Sequence, residues 1–349
     1  MMAGRKMRAM VLNRIAPLEE NPNPLTLVER DVPRPGPGEV LIRILACGVC
    51  HTELDEIEGR TPPKLPIILG HEVVGRVEER GVGADRHQVG ARVGVAWIYS
   101  SCGRCRYCQM GLENLCSEFK ATGRDHDGGY AEFMVVPQDS AYPIPDRFSD
   151  LEAAPLLCAG VIGYRALRLT GLEDGEIIGL FGFGASAHIV IQIIKYRYPK
   201  TKVFVFTRPG QKAHQELARS LGADWVGATG EKPPDLLDRG IDFTPAWEPI
   251  VFGMGVLRPG GRFVINAIRK EDRDKESLME FDYARDIWWE KELKSVANVT
   301  RRDALEFLPL AAEIPIQPKV QEFALIEANR ALNILKQGKM EGAGVLKIG

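Results

Sequence analysis

From Ile177 to Ile194 the chain reads IIGLFGFGASAHIVIQII, a run without Asp, Glu, Lys or Arg. Such a run is long enough to cross a bilayer. However, Gly179, Gly182 and Gly184 crowd its first half, and His188 and Gln192 interrupt the second. A buried strand, a tight turn and a buried helix account for it better than a membrane span. The pattern then repeats. KVFVFT at 202–207 is followed by AHQELARSLGAD at 213–224, and the turn RPGG precedes RFVINAI at 262–268. Strands and helices alternating at this spacing predict βαβ units on a parallel sheet. The charged run RKEDRDKE at 269–276 is expected to be a solvated loop.

The first 150 residues have a different texture. Short β-branched runs (GEVLIRIL, EVVGRVEE, ARVGVAWI and AEFMVVP) are separated by turn signals such as RPGPG at 34–38, which predicts a β-rich domain. A chain of 349 residues suits two domains. Its formal net charge of −2 gives no general pull toward nucleic acid or an anionic membrane, and neither partner is expected. The N-terminal apolar run is broken by Asn13 and Arg14, so a signal-peptide core is absent and a cytoplasmic location is expected.

The 7 cysteines are an odd number, which argues against a disulfide framework. Four of them, Cys102, Cys105, Cys108 and Cys116, lie in the stretch SCGRCRYCQMGLENLC, with the spacing C-x2-C-x2-C-x7-C. Two-residue gaps let successive thiolates turn inward around one tetrahedral ion. Four thiolates leave no open coordination position, so a zinc there is structural. An iron–sulfur cluster is the competing reading.

Cys50 in CGVCHTEL, His71 in LGHEVVGRVEERG and Cys158 in APLLCAGVIGYRAL come from three separate segments. Two thiolates and an imidazole hold a zinc whose fourth position stays open, where it acts as a Lewis acid on a bound hydroxyl. Glu72 stands beside the histidine, either behind the ligands or as an occasional fourth ligand. Each residue also has a plainer reading. Cys158 alone fits a buried small apolar position. Cys47 with Cys50 forms C-x-x-C, a redox pattern, although no thioredoxin-like βαβ unit surrounds it.

GLFGFGASAH fits G-x-G-x-x-A at Gly182, Gly184 and Ala187, between a predicted strand and a predicted helix. Glycines permit the tight turn, and the helix N-terminus attracts a pyrophosphate. An NAD site usually carries an acid at the end of the next strand. Here no Asp or Glu occurs between Glu176 and Glu216, and the strand runs into Thr207, Arg208 and Lys212. An arginine there pairs with a 2′-phosphate that an acid would repel, so NADP is expected; the plainer reading is a solvated arginine.

Taken together, GHEVVGRVEERG, CGRCRYCQMGLENLC, GVCHTEL and LLCAGVIGYRAL, ahead of a dinucleotide domain, resemble the zinc-dependent alcohol dehydrogenases of the medium-chain dehydrogenase/reductase superfamily. The likeness covers nearly the whole chain. It implies an α/β protein with a GroES-like β-rich catalytic domain (1–152 and 298–349, with a structural-zinc lobe at about 97–117) and a Rossmann doubly wound parallel-sheet domain (153–297). By position, Cys50, His71 and Cys158 match the catalytic zinc ligands, and the four-cysteine lobe matches the structural zinc, giving two zinc ions per subunit. Thr52 matches the hydroxyl that bonds the alcohol and starts a proton relay, and Glu53 falls where the family usually has an aspartate against the histidine ligand. His51 falls where a basic residue approaches the cofactor pyrophosphate. Gly182, Gly184, Ala185, Ala187, Thr207, Arg208, Lys212 and Asn266 are the expected cofactor contacts, and Trp97, Ile162 and Val299 the expected pocket walls.

Three positions depart from the pattern. Asp55 replaces a relay histidine, either as a base or as a solvated residue on the first helical turn. Ala343 stands where many relatives have an arginine that pairs with the acid behind the histidine and with the cofactor. Ile162 replaces a threonine. The resemblance implies an NADP(H)-preferring alcohol dehydrogenase or aldehyde reductase acting on a primary alcohol or aldehyde, as a homodimer or homotetramer. The alternatives are a polyol or sugar dehydrogenase of the same superfamily, and a non-catalytic sensor that binds zinc and NADP.

Overall fold

The structure is a computed structural model and describes residues 5–314 and 316–349. The chain divides into two compact units, Met1–Cys158 with Val299–Gly349, and Ala159–Asn298.

In the first unit, among the described residues, a seven-stranded sheet runs in the order Ala141–Pro143, Arg92–Val95, Val73–Arg80, Glu39–Val49, Ala343–Lys347, Val320–Ala324, with Phe133–Pro137 also paired to Glu39–Val49. The central strand Glu39–Val49 is buried along almost its whole length, because Val40, Ile42 and Ile44 on it pack into the core with Val73, Val77, Val93 and Phe133. That strand ends directly at Cys50, and the helix His51–Ile57 begins there. The C-terminal strand Ala343–Lys347 pairs antiparallel beside it, with Gly344 opposite Val49. A three-stranded sheet (Leu25–Asp31, Lys6–Leu12, Ile67–Ile68) and a two-stranded ribbon (Ile98–Ser100, Lys120–Ala121) complete the unit. The ribbon is the base of the four-cysteine lobe. Residues 153–158, which the sequence assigned to the second domain, fold with the first unit. The short helix Asp150–Ala153 and the 3₁₀ turn Ala154–Leu157 pack on its central strands, and Leu156 and Leu157 are buried there.

The second unit is a six-stranded parallel sheet in the order Trp225–Ala228, Lys202–Thr207, Ile177–Phe181, Leu237–Asp242, Leu257–Ile265, Glu292–Ser295. By chain order this is 3-2-1-4-5-6, the doubly wound arrangement, whose ligand crevice lies where the order reverses. Here that is between the C-terminal ends of Ile177–Phe181 and Leu237–Asp242. The uncharged run from Ile177 is the strand Ile177–Phe181, a turn, and the helix Ala185–Arg197, whose Ile189, Val190, Ile191, Ile193 and Ile194 are all buried. No helix among the described residues is long and apolar enough to cross a membrane.

The run 269–276 is only partly solvated. Arg273 and Asp272 are exposed, but the Lys270 side chain is 9% exposed. Asp274 accepts from the backbone N–H of Trp247 at 2.7 Å and of Glu248 at 2.9 Å. A carboxylate there satisfies the otherwise unpaired N–H groups at the start of the helix Glu248–Gly255.

Candidate active site

The sheet and the helix that follows it build a donor cluster from three separate segments. Cys50 caps the helix His51–Ile57: its Sγ accepts from Thr52 N–H at 3.3 Å, and its own N–H donates to Glu53 Oε2 at 2.8 Å. The cap fixes the thiol at the mouth of the helix, and it fixes Glu53 one turn on. His71 leads into the strand Val73–Arg80, and Cys158 closes the 3₁₀ turn Ala154–Leu157. The ligand atoms of Cys50, His71, Glu72 and Cys158 all lie within 4.8 Å of one another.

His71 Nδ1 sits 2.6 Å from Glu53 Oε1. With the carboxylate accepting at Nδ1, Nε2 is left to face the cluster, 3.7 Å from Cys50 Sγ. Zinc–sulfur and zinc–nitrogen bonds of about 2.3 and 2.0 Å give tetrahedron edges of roughly 3.5–3.8 Å, so this spacing fits zinc. Glu72 is buried over the backbone of Gly48, where an added Cβ would lie 1.9 Å from Glu72 Oε2. A side chain at residue 48 would therefore displace the acid from the cluster.

The surroundings of the cluster favour protonated thiols. Contact with Cys158, then burial, hold Cys50 well above the ordinary thiol value. At Cys158 the contact with Cys50 pulls the other way, but burial and the nearby Glu72 and Glu53 outweigh it and raise its pKa. Burial pushes Glu72 up to about 7. Burial also works against charge on His71, yet the facing Glu53 and Cys50 outweigh it and raise its pKa well above the imidazole norm. Metal uptake by such a cluster must expel protons.

The remaining expected residues fall as follows. Thr52 is buried on the first turn of the helix, and His51 is exposed at its start. Asp55 is not solvated: it is 1% exposed, and its Oδ1 accepts from Arg60 Nε at 2.6 Å. Arg60 also pairs with Glu58, and Glu58 with Lys336 on the C-terminal helix Ala328–Lys336, so Asp55 belongs to a row of paired charges. Trp97 stands edge-on to His71, with ring centroids 4.9 Å apart. Val299 is buried in the same unit, and Ile162 lies half-buried on the helix Ala159–Thr170 of the other. Ala343 opens the C-terminal strand, and the two oxygens of Glu53 meet Cys50 N–H and His71 Nδ1.

The four-cysteine lobe converges as its spacing predicts. Its Sγ atoms lie within 4.8 Å of one another, with Cys102 to Cys108 at 3.9 Å and Cys105 to Cys108 at 3.6 Å. Backbone N–H groups point at the sulfurs, from Cys105 to Cys102 Sγ at 3.3 Å and from Glu118 to Cys116 Sγ at 3.3 Å. The N–H groups of Arg104 and then Cys105 draw the Cys102 pKa down to about 6. This donor set fits zinc as well.

In the second unit Gly182 takes φ +82°, and an added Cβ there would lie 2.7 Å from Thr244 Cγ2. Gly184 is the N-cap of the helix Ala185–Arg197, and Ala187 is fully buried beneath the turn. Thr207 ends the neighbouring strand, and its Oγ1 accepts from Gln215 at 2.9 Å. Arg208 and Lys212 are exposed just beyond it, and among the described residues neither forms an ion pair. Asn266 follows the strand Leu257–Ile265, and its buried Oδ1 has no hydrogen-bond partner among the described residues.

Residues 36–146 match the family model of the alcohol dehydrogenase GroES-like domain. A Mycobacterium tuberculosis protein named "Probable alcohol dehydrogenase AdhA" is 41% identical over 98% of this chain and 97% of its own. The chain belongs to the family of zinc-type alcohol dehydrogenases of the medium-chain dehydrogenase/reductase superfamily. An alcohol dehydrogenase of Geobacillus stearothermophilus is 36% identical over 95% of this chain and 99% of its own. Among solved structures, the cobalt- and zinc-bound thermostable alcohol dehydrogenase of Pyrobaculum aerophilum superimposes with a TM-score of 0.81 at 27% identity, covering 98% of this chain and 100% of that one.

This alcohol dehydrogenase also holds a group that sequence reasoning missed. Glu56, on the same helix as Glu53, is fully buried, and neither of its carboxyl oxygens has a hydrogen-bond partner among the described residues. Burial first, then the Glu53 charge, push it well above the carboxylate range. The signal was available in principle. Glu53 and Glu56 are three residues apart and so share a helix face.

Proposed function

We propose that the protein interconverts primary alcohols and aldehydes with NADP(H), using one zinc on Cys50, His71 and Cys158 and a second on the four-cysteine lobe. The observation that carries this reading is the convergence of Cys50, His71, Glu72 and Cys158 beside Thr52. Bound there, zinc supplies Lewis acidity that lowers the pKa of an alcohol hydroxyl. NADP(H) supplies the hydride chemistry.

The chain's own residues do the rest. Glu53 holds the His71 ring by Nδ1 and keeps Nε2 in place as a donor. Thr52, fixed on the first turn by the Cys50 cap, takes the alcohol proton through its hydroxyl and passes it outward. Trp97, edge-on to His71, gives an apolar wall that suits a small aliphatic or aromatic substrate and excludes water. Arg208 and Lys212, exposed beyond Thr207 with no acid beside them in sequence, favour a 2′-phosphate and hence NADP(H). The free state of all seven cysteines suits a reducing compartment, so the cytoplasm is proposed as its location and a homodimer or homotetramer as its working form.

Initial rates of zinc-replete protein test this reading, with NADPH and NADH each offered against short aliphatic, aromatic and sugar aldehydes. Fast reduction with NADPH and little with NADH is expected. A preference for NADH would refute the role given to Arg208, and turnover of sugar aldehydes alone would refute the substrate class.

A further inference from the structure

The ligand crevice of the second unit has two banks. One is the turn at 182–184 with the first residues of the helix Ala185–Arg197. The other is the segment 243–247, between the strand Leu237–Asp242 and the helix Glu248–Gly255. The second bank has no regular ladder, yet its polar groups are held. Asp242 is fully buried at the strand end, and its Oδ1 accepts from Thr244 N–H at 2.9 Å and from Thr244 Oγ1 at 2.7 Å. Its Oδ2 takes the Lys270 ammonium. The same ammonium donates to the carbonyls of Thr244 at 2.9 Å and Ala246 at 2.7 Å. Glu271 N–H donates to Pro245 O at 2.8 Å, and Asp274 caps the helix beyond.

Two points follow. An ammonium has three donors, and the three acceptors saturate it, so Lys270 has none left for a phosphate. The loop it holds also touches the other bank, since Thr244 Cγ2 is what a Cβ on Gly182 would meet at 2.7 Å. An outward shift of 244–246 would open the crevice at the turn expected to bind pyrophosphate.

We infer that Lys270 is a positioning residue for the dinucleotide: its pair with Asp242 clamps 244–246 against Gly182 and sets the width of the cofactor crevice. This rests on the dinucleotide reading above. The charged run that looked solvated in the sequence thereby acquires a specific task.

Lys270→Met alone would strand a buried carboxylate and threaten folding. The decisive variant is Asp242→Asn with Lys270→Met, which removes the pair and leaves no charge unpaired. In zinc-replete protein, NADPH affinity is measured by fluorescence titration, beside melting temperature, KM for NADPH and kcat. The expected result is a folded variant that binds NADPH about tenfold more weakly or worse, a loss of about 1.4 kcal/mol. KM for NADPH should rise in step, while kcat at saturating cofactor changes less than about twofold. Thr244→Ser keeps the hydroxyl on Asp242 and removes only the methyl beside Gly182; roughly threefold weaker binding is expected, and this variant decides the matter should the double variant not fold. Parental affinity in the folded variants overturns the inference, because a merely structural pair would move only the melting temperature. A parent protein that binds neither NADPH nor NADH overturns the dinucleotide reading, and this inference with it.

Discussion

The two metal-ligand groups lie in one compact unit and are built in opposite ways. The lobe takes all four donors from residues 102–116, and its sulfurs are served by backbone N–H groups of the same loop. The open site takes its donors from residues 50 to 158, and side chains serve it: Glu53 behind His71, and Glu72 over Gly48. Amide dipoles favour thiolate at Cys102, whereas contact with Cys158 and then burial disfavour it at Cys50. The first arrangement closes a loop around an ion. The second gathers its donors in an acid-rich pocket, where a cation changes the chemistry of whatever enters.

Breaking each side separately sharpens the contrast. The largest effect is expected from Cys50→Ser, which should lower kcat/KM by more than about a thousandfold, since a Lewis acid supplies several kcal/mol of transition-state stabilisation. Metal analysis should show one zinc lost and the lobe still loaded. Retained activity would mean that the open cluster is not the reaction centre.

A smaller difference should appear in the metal-free protein. With Cys102 at about 6 and Cys50 raised, alkylation at pH 7 should modify Cys102 at least about a hundred times faster than Cys50, read by peptide mass spectrometry. The sign is fixed by those directions. Lowering the pH through 6 slows alkylation of Cys102, because its thiolate is then protonated. Equal rates at pH 7 would remove the electrostatic distinction.

The smallest effect on chemistry is expected from Cys105→Ser. It should cost the lobe its zinc and lower the melting temperature by roughly 5–15 °C, with kcat for the surviving fold changed by less than about tenfold. A larger loss of kcat at unchanged stability would assign the lobe a role in catalysis.

The same contrast explains what was legible beforehand. Cys102, Cys105, Cys108 and Cys116 could be read from spacing alone, because a local loop makes the site. The strand, turn and helix from Ile177 were legible for the same reason, since period and glycines are local. Cys50, His71 and Cys158 could be grouped by residue type, but their plainer readings stayed open until the resemblance matched them, because a sheet and a buried turn bring them together. Lys270 was misread as solvated, and of the two readings of Asp55 the solvated one fails. Charge in a sequence predicts exposure until a partner such as Arg60 or Asp242 is supplied from elsewhere in the fold. Glu56 drew no attention because a helix-face acid looks ordinary until residues 52–57 are all found buried.

The strand that delivers Cys50 is flanked on one side by Ala343–Lys347, the last strand of the chain, with Val49 opposite Gly344. During synthesis, the inserted unit 159–298 emerges as one continuous stretch, while the sheet around Cys50 waits for the final residues. Its closing contacts span nearly the whole length of the polypeptide, which makes them slow to form. A nascent chain can therefore own a finished nucleotide fold before it owns a finished reaction centre, and loss of the strand Ala343–Lys347 would strike the centre first.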